Sequence, residues 1–299
     1  MKILSFGSMN IDNTYSVDEF VQPGETMTAK NLSKFCGGKG LNQSIALAAA
    51  GADVAHFGCV GEDGDILLDM LKSRGVNTDS VIKIDNITSG HAIIQVDSHG
   101  QNSILLYPGA NRRMTPELID RELEKYSCGD WLLIQNETNC LEYIMRAANK
   151  KGMKIAFNPS PMDGTVSTLP RELVDLFLVN EIEGAAVTGK EITEEITAEF
   201  EKLFPNAAVI LTLGKKGSIF KSEKDMLFQP SYCGTVKDTT GAGDTYTGFF
   251  IANYIKGVSP QECMRIAAMA STVQISRDGA AIAIPTKQEV LNALKNYCR

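Results

Sequence analysis

The chain has 299 residues, enough for one large α/β unit or two smaller domains. Its 29 Lys and Arg against 36 Asp and Glu give a net charge of −7, which argues against nucleic acid or an anionic membrane as the main partner while leaving room for a small anion at a local site. The remaining composition (43% hydrophobic, 22% charged, no apolar run near the ~18–20 residues of a bilayer span, no signal-like apolar start, seven scattered cysteines without a C-x-x-C pair) points to a reduced, cytoplasmic globular protein.

Residues 2–7 (KILSFG) predict a first buried strand. Residues 8–36 hold two alternating stretches, Asn13–Val21 and Thr26–Phe35, around the turn signal Gln22-Pro23-Gly24-Glu25, and read as exposed strands. An Ala-rich helix at Asn42–Ala50, a strand at Val54–Cys59 and a helix at Asp65–Arg74 follow. Residues 90–97 and 102–107 form a second hairpin pattern around Ser98-His99-Gly100. The two insertions, about 8–36 and 90–107, are expected to pair as one lid sheet. Then come a helix at Pro116–Tyr126, a strand at Trp131–Ile134, a helix at Leu141–Lys151, and strands at Lys154–Phe157 and Leu176–Val179. Helices near 181–188 and 194–203, a strand at Ala208–Thr212 and a hairpin of Ser218–Lys221 with Met226–Gln229 lead to three closing helices at about 242–256, 260–276 and 286–296. Such alternation predicts one α/β domain over 1–299, with a mainly parallel sheet covered on both faces and a ligand at the carboxyl ends of its strands.

The strongest motif is DTTGAGDTYTG (238–248), which runs into a predicted helix. Glycines let successive N–H groups turn to one point and a helix start adds partial positive charge, so Gly241, Ala242 and Gly243 suit an anion such as a transferring phosphoryl group. Asp244 beside them repels phosphate but can take the proton of a hydroxyl attacking phosphorus; its alternative is a plain helix cap. CGGKGLNQ (36–43) allows close backbone approach, with Lys39 and Asn42 as donors. Asn10 and Asp12 of GSMNID (7–12) can read sugar hydroxyls or shape a turn. In NEIE (180–183), Asn180 and Glu183 share a helix-start face, and an acid near phosphates acts through Mg²⁺ and its waters. TLGKKG (212–217) is a glycine turn that can border a nucleotide. GAAVTGKE (184–191) imitates a P-loop, but Glu191 stands where Ser or Thr is required and Gly184 falls inside a predicted helix. No G-x-G-x-x-G follows a strand, so a dinucleotide oxidoreductase is disfavoured.

With GSMNID, PGE (23–25), GGKGLNQ, PGAN (108–111), Glu137, NEIE, TLGKKG and DTTGAGD in this order, the chain resembles the PfkB-type carbohydrate kinases over essentially its whole length. The resemblance implies a three-layer α/β/α fold with a small β-sheet lid, and phosphoryl transfer from ATP to a sugar hydroxymethyl group. D-ribose, giving D-ribose 5-phosphate, is the first expectation. Another sugar (deoxyribose or fructose-like), a nucleoside, and a non-catalytic sugar sensor are the alternatives. Asp244 would be the base, and Gly241, Ala242 and Gly243 the anion hole. Asn10, Asp12, Gly38, Lys39, Asn42 and Glu137 would hold the sugar. Asn180, Thr212, Gly214, Gly217 and Gly243 would face the nucleotide, and Glu183 the waters of Mg²⁺. Asp238, Thr240, Gln274, Arg277, Gly279 and Ala283 match a monovalent-cation loop, for which K⁺ is expected. Ala268 departs from the pattern, standing where some members carry a histidine beside the adenine. The lid would close on the sugar and pair with a second lid in a homodimer.

Overall fold

A computed structural model describes residues 1–297, so Cys298 lies outside the described residues. In chain order its elements are β1 (Ile3–Phe6), β2 (Asn10–Ser16), β3 (Asn31–Gly37), α1 (Lys39–Ala49), β4 (Val54–Phe57), β5 (Cys59–Val60), α2 (Asp65–Ser73), β6 (Ile82–Lys83), β7 (Gly90–Val96) and β8 (Asn102–Tyr107). There follow α3 (Pro116–Leu123), β9 (Trp131–Gln135), α4 (Leu141–Lys150), β10 (Lys154–Asn158), β11 (Leu176–Asn180), α5 (Glu181–Thr188), α6 (Thr193–Leu203) and β12 (Ala208–Thr212). The chain closes with β13 (Ser218–Lys221), β14 (Met226–Gln229), α7 (Ala242–Tyr254), α8 (Pro260–Gln274) and α9 (Lys287–Tyr297).

Strands apolar at every position must bury both faces, and the central sheet is made of such runs. Its order is β14-β13-β12-β11-β10-β9-β1-β4. The six strands from β12 to β4 are parallel, and β13 and β14 add an antiparallel hairpin at one edge. Successive side chains point to opposite faces. Trp131 and Leu133 of β9 therefore join a core with α1, α7, α8 and α9, while Leu132 and Ile134 join one with α3, α4 and α6. These are the three layers expected.

The two insertions do meet. β2 pairs with β3 antiparallel and with β7 parallel, and β8 completes a four-stranded lid of order β3-β2-β7-β8. Two expectations shift here. The paired strands are Asn10–Ser16 and Asn31–Gly37 rather than 13–21 and 26–35. Residues 17–30 leave the sheet because the run of β7 opposite β2 ends at Val96. The helix expected from Asn42 begins at Lys39, because Gly40 lies against the Gly7 backbone, where any Cβ would collide, and so docks the first turn onto the end of β1. The expected strand 54–59 divides at Gly58 into β4 and β5.

Candidate active site

The carboxyl ends of β1, β9, β10, β11 and β12 open on one side of the sheet, where the starts of α1, α5 and α7 meet them. The α7 start is left-handed at Gly241 (φ 78°), a conformation that costs glycine little and turns the next amides toward the cleft. The Ala242 N–H bends back to the Thr239 carbonyl at 3.2 Å. Among the described residues the Gly241 and Gly243 N–H groups donate to no protein acceptor, and a Cβ on Gly243 would meet nothing within 4 Å. Of the three expected anion-hole amides, two are therefore open. Ser271 of α8 donates to the Ala242 carbonyl at 2.8 Å and steadies this turn. Asp244 follows, buried, with its carboxylate accepting from Asn42 Nδ2 at 3.0 Å and Gln43 Nε2 at 2.9 Å.

Lys39 is the first residue of α1, after Gly38 in a positive-φ conformation. Its N–H donates to Glu137 Oε2 at 3.0 Å, and Ser8 Oγ donates to the same oxygen. Burial works against the Lys39 ammonium, but the carboxylates of Asp244, Glu137 and Glu183 outweigh it and hold its pKa above the ordinary value. Burial pushes Glu137 up, against its Ser8 and Lys39 partners. Asp12, on β2, is raised to about 6 by burial and then by Glu137. Asn10, at the start of β2, is buried and its Oδ1 accepts from Asn111 Nδ2 at 2.8 Å. The expected sugar-side residues therefore gather around one acidic, amide-rich recess beneath the lid.

A cleft of about 220 Å³ continues from Lys39 and Asp244 past Asn180, Glu183 and Thr212. Asn180 caps α5: its side chain accepts from the Glu183 N–H at 2.8 Å, and Glu183 Oε2 accepts from the Asn180 N–H at 3.0 Å. That box fixes both side chains at the cleft, where the other Glu183 oxygen is left without a protein donor. Gly214 and Gly217 lie in the positive-φ turn after Thr212, outside the cleft lining. Ala268 is packed in the core on α8 and also does not line it. Gly184 sits inside α5, so the P-loop imitation is a helix.

The two loops of the cation motif adjoin. Asp238 Oδ1 accepts from the Thr240 N–H at 2.8 Å and Oγ1 at 2.6 Å, and its Oδ2 accepts from the Gly279 N–H at 2.9 Å. Burial raises the Asp238 carboxyl, but these donors outweigh it and set the pKa below the ordinary value. Gln274 Nε2 donates to the Thr240 carbonyl at 2.5 Å and the Gly279 carbonyl at 3.3 Å, leaving its Oε1 buried without a partner. Arg277 turns its side chain to Glu289 at 2.5 Å, and Ala283 is buried in the following turn.

Four participants escaped the sequence reading: Ser8, Gln43, Asn111 and Asn158. Ser8, Gln43 and Asn111 stand inside the GSMNID, GGKGLNQ and PGAN motifs, so proximity to a glycine-rich turn was the available signal. Asn158 carried none.

A buried carboxylate beside open helix-start amides, at the carboxyl end of a doubly covered sheet, is the site of a small-molecule phosphotransferase. The pfkB family carbohydrate kinase model matches residues 1–287, and the chain belongs to that family. A ribokinase of Haemophilus influenzae is 33% identical over 298 residues, covering 97% of each chain. The structure of a Thermotoga maritima ribokinase superposes with a TM-score of 0.88 at 32% identity, covering 98% of this chain and 99% of that one. An Arabidopsis thaliana ribokinase complexed with ribose and ATP gives 0.86 at 30%, covering 98% of each.

Proposed function

We propose that this chain transfers the γ-phosphoryl group of ATP to the 5-hydroxyl of D-ribose, releasing ADP and D-ribose 5-phosphate. The observation that carries the reading is the placement of Asp244: buried, held by the Asn42 and Gln43 amides, and next to the open Gly243 amide. The sugar hydroxyl sits against Asp244, which accepts its proton as the oxygen attacks phosphorus. The Gly241 and Gly243 amides, with the helix start behind them, face the charge that grows on the phosphoryl oxygens. Asn10, Asp12, Gly38, Lys39, Asn42 and Glu137 hold the sugar. The unpartnered, buried Asn42 Oδ1 supports this, since a sugar hydroxyl would satisfy it. Full-length likeness to a ribokinase complexed with ribose and ATP, at 30% identity against 19–20% for nucleoside kinases, favours a free sugar over a nucleoside, and the 33% identity to a ribokinase against 29% to deoxyribokinases leans toward ribose.

ATP lies along the cleft past Asn180, Thr212 and the 214–217 turn. Mg²⁺ supplies charge neutralisation between the phosphates when bound. The donor set fits it: Glu183 lines the cleft with one oxygen held in its capping box, and the other would accept from a water on the ion, which would otherwise rest on phosphates and waters. The 238–240 and 274–283 loops suit K⁺. The Thr240 and Gly279 carbonyls converge on the Gln274 amide, whose orphaned Oε1 becomes a third oxygen at that point when the amide is reversed. With the amide so reversed, a cation among the three oxygens would take the place of the Nε2 donor, and Asp238 would balance its charge. Arg277 and Ala283 would contribute through their carbonyls.

The lid supports a homodimer. β8 is an edge strand exposed along its whole length, with Ile104 58% and Leu105 67% exposed, and a second lid would cover it. No helix among the described residues is long and apolar enough to cross a membrane.

The test is phosphorus NMR of a mixture of enzyme, ATP, Mg²⁺, K⁺ and ribose. A new resonance coupled to the two C5 protons of ribose is expected. ATP left intact, or phosphate on another hydroxyl, would contradict the reading.

A further inference from the structure

Gln43 follows Asn42 on α1, and its side chain is fully buried beneath the cleft. Its Nε2 has two protons and both are used. One goes to Asp244 Oδ1 at 2.9 Å, the other to Asn158 Oδ1 at 3.1 Å. Its Oε1 accepts from Gln135 Nε2 at 2.8 Å. Asn158 Nδ2 in turn donates to the Leu178 carbonyl at 2.8 Å. A continuous chain of amides thus joins the Asp244 carboxylate to the ends of β9, β10 and β11, three neighbouring strands of the sheet. Its direction is set by the Leu178 carbonyl, which can only accept, and by the Asp244 oxygen that receives the Gln43 proton. Reversing Gln43 or Asn158 would set acceptors against acceptors.

We propose that Gln43 is a positioning residue for the phosphoryl-transfer step. It occupies Asp244 Oδ1 and fixes the carboxyl plane, so that Oδ2 receives the proton of the attacking hydroxyl. The two donors on Asp244 are unequal in a way that supports this. Gln43 has every polar atom satisfied and is tied to the sheet, whereas Asn42 reaches Oδ2 at 3.0 Å and keeps a buried, unpartnered Oδ1. Asn42 is therefore the donor that rearranges with ligand, and Gln43 the one that stays. At the β9 end Gln135 Oε1 is buried without a partner among the described residues, so the fully paired stretch runs from Asp244 through Gln43 and Asn158 to the Leu178 carbonyl; a base held off its line loses rate even when substrate still binds. The inference rests on Asp244 being the base.

Gln43→Met keeps the side-chain length and removes both donors. Turnover should fall roughly 10–100-fold, the effect of a small misplacement of a catalytic group, while the sugar KM changes less than ~3-fold. In an Asp244→Asn background the same substitution should lower the residual single-turnover rate by less than ~3-fold, since residues acting through one group are not additive. Asn158→Ala, which loosens the relay from the sheet side, should likewise lower turnover with the sugar KM changed less than ~3-fold, and decides the matter if the Gln43 variant does not fold. Wild-type turnover in Gln43→Met, a rise in sugar KM in place of a fall in turnover, or an equal loss in both backgrounds would overturn the proposal. Asp244→Asn retaining wild-type activity would instead remove the base assignment on which it stands.

Discussion

At the scale of single residues, the recess between lid and sheet is governed by carboxylates held close together. Asp12 is raised to about 6 by burial and by Glu137 beside it. An ionised Asp12 accepts sugar hydroxyls through both oxygens, and the protonated form dominates below about pH 6. Sugar binding favours the ionised form, so the ribose KM should fall as pH rises from 5 to 7, and Asp12→Asn should flatten the trend. A KM of the wild-type enzyme that is level across that window would count against Asp12 as a sugar ligand. Asp244 and its glycines were readable in the linear chain because an acid directly after a Gly-Ala-Gly turn has few other uses. Gln43 was not, since neighbouring residues on a helix point in different directions and only the packing of α1 shows which of them reach Asp244. Asn10 looked equally like a turn residue. Its place at the head of β2 depends on pairing with Gly37 and Gly90, which come from two distant parts of the chain.

At the scale of elements, the buried strands β9 to β12 matched expectation to within a residue because continuous apolar runs between turn signals leave little choice of register. The lid strands shifted by several residues. Both faces of β8 and much of β3 are exposed, so alternation carries little information there, and partners set the boundaries. An exposed apolar edge such as Ile104-Leu105-Leu106-Tyr107 invites pairing with a second copy. Light scattering at micromolar concentration should give a dimer, and Leu105→Lys should shift it toward monomer. A monomeric wild-type protein would contradict lid pairing. Closure of the lid should also keep water from the phosphoryl group, so ATP hydrolysis without sugar should run far below transfer with sugar. Equal rates would show that the lid does not gate the reaction.

At the scale of the whole molecule, three separated stretches come together at and behind the cleft: the α1 start, the α7 start and the loop after α8. Asp238 ties the last two through the Gly279 N–H, and Gln274 ties them through the Thr240 and Gly279 carbonyls. If K⁺ shapes this junction, activity in tetramethylammonium buffer at constant ionic strength should rise several-fold with K⁺ and less with Na⁺, and Asp238→Ala should blunt the response. A flat titration would leave Asp238 as a purely structural link. The same assembly sets selectivity. A recess built to bond hydroxyls leaves its own groups unpaired when one is missing, so ribose should exceed 2-deoxyribose in kcat/KM. Equal use of both would keep the kinase and remove ribose as its particular substrate.

The most direct measurement is the single-turnover rate of ADP formation with ribose for wild-type and Asp244→Asn enzymes at saturating substrates. The substitution keeps size and most hydrogen bonds while removing the proton acceptor, and a positioned base is worth roughly 10²–10⁴ in rate. A fall of at least that size with ribose affinity nearly unchanged is the expected result. An Asp244→Asn enzyme retaining more than about a tenth of the wild-type rate, far above what loss of the base allows, would contradict the account.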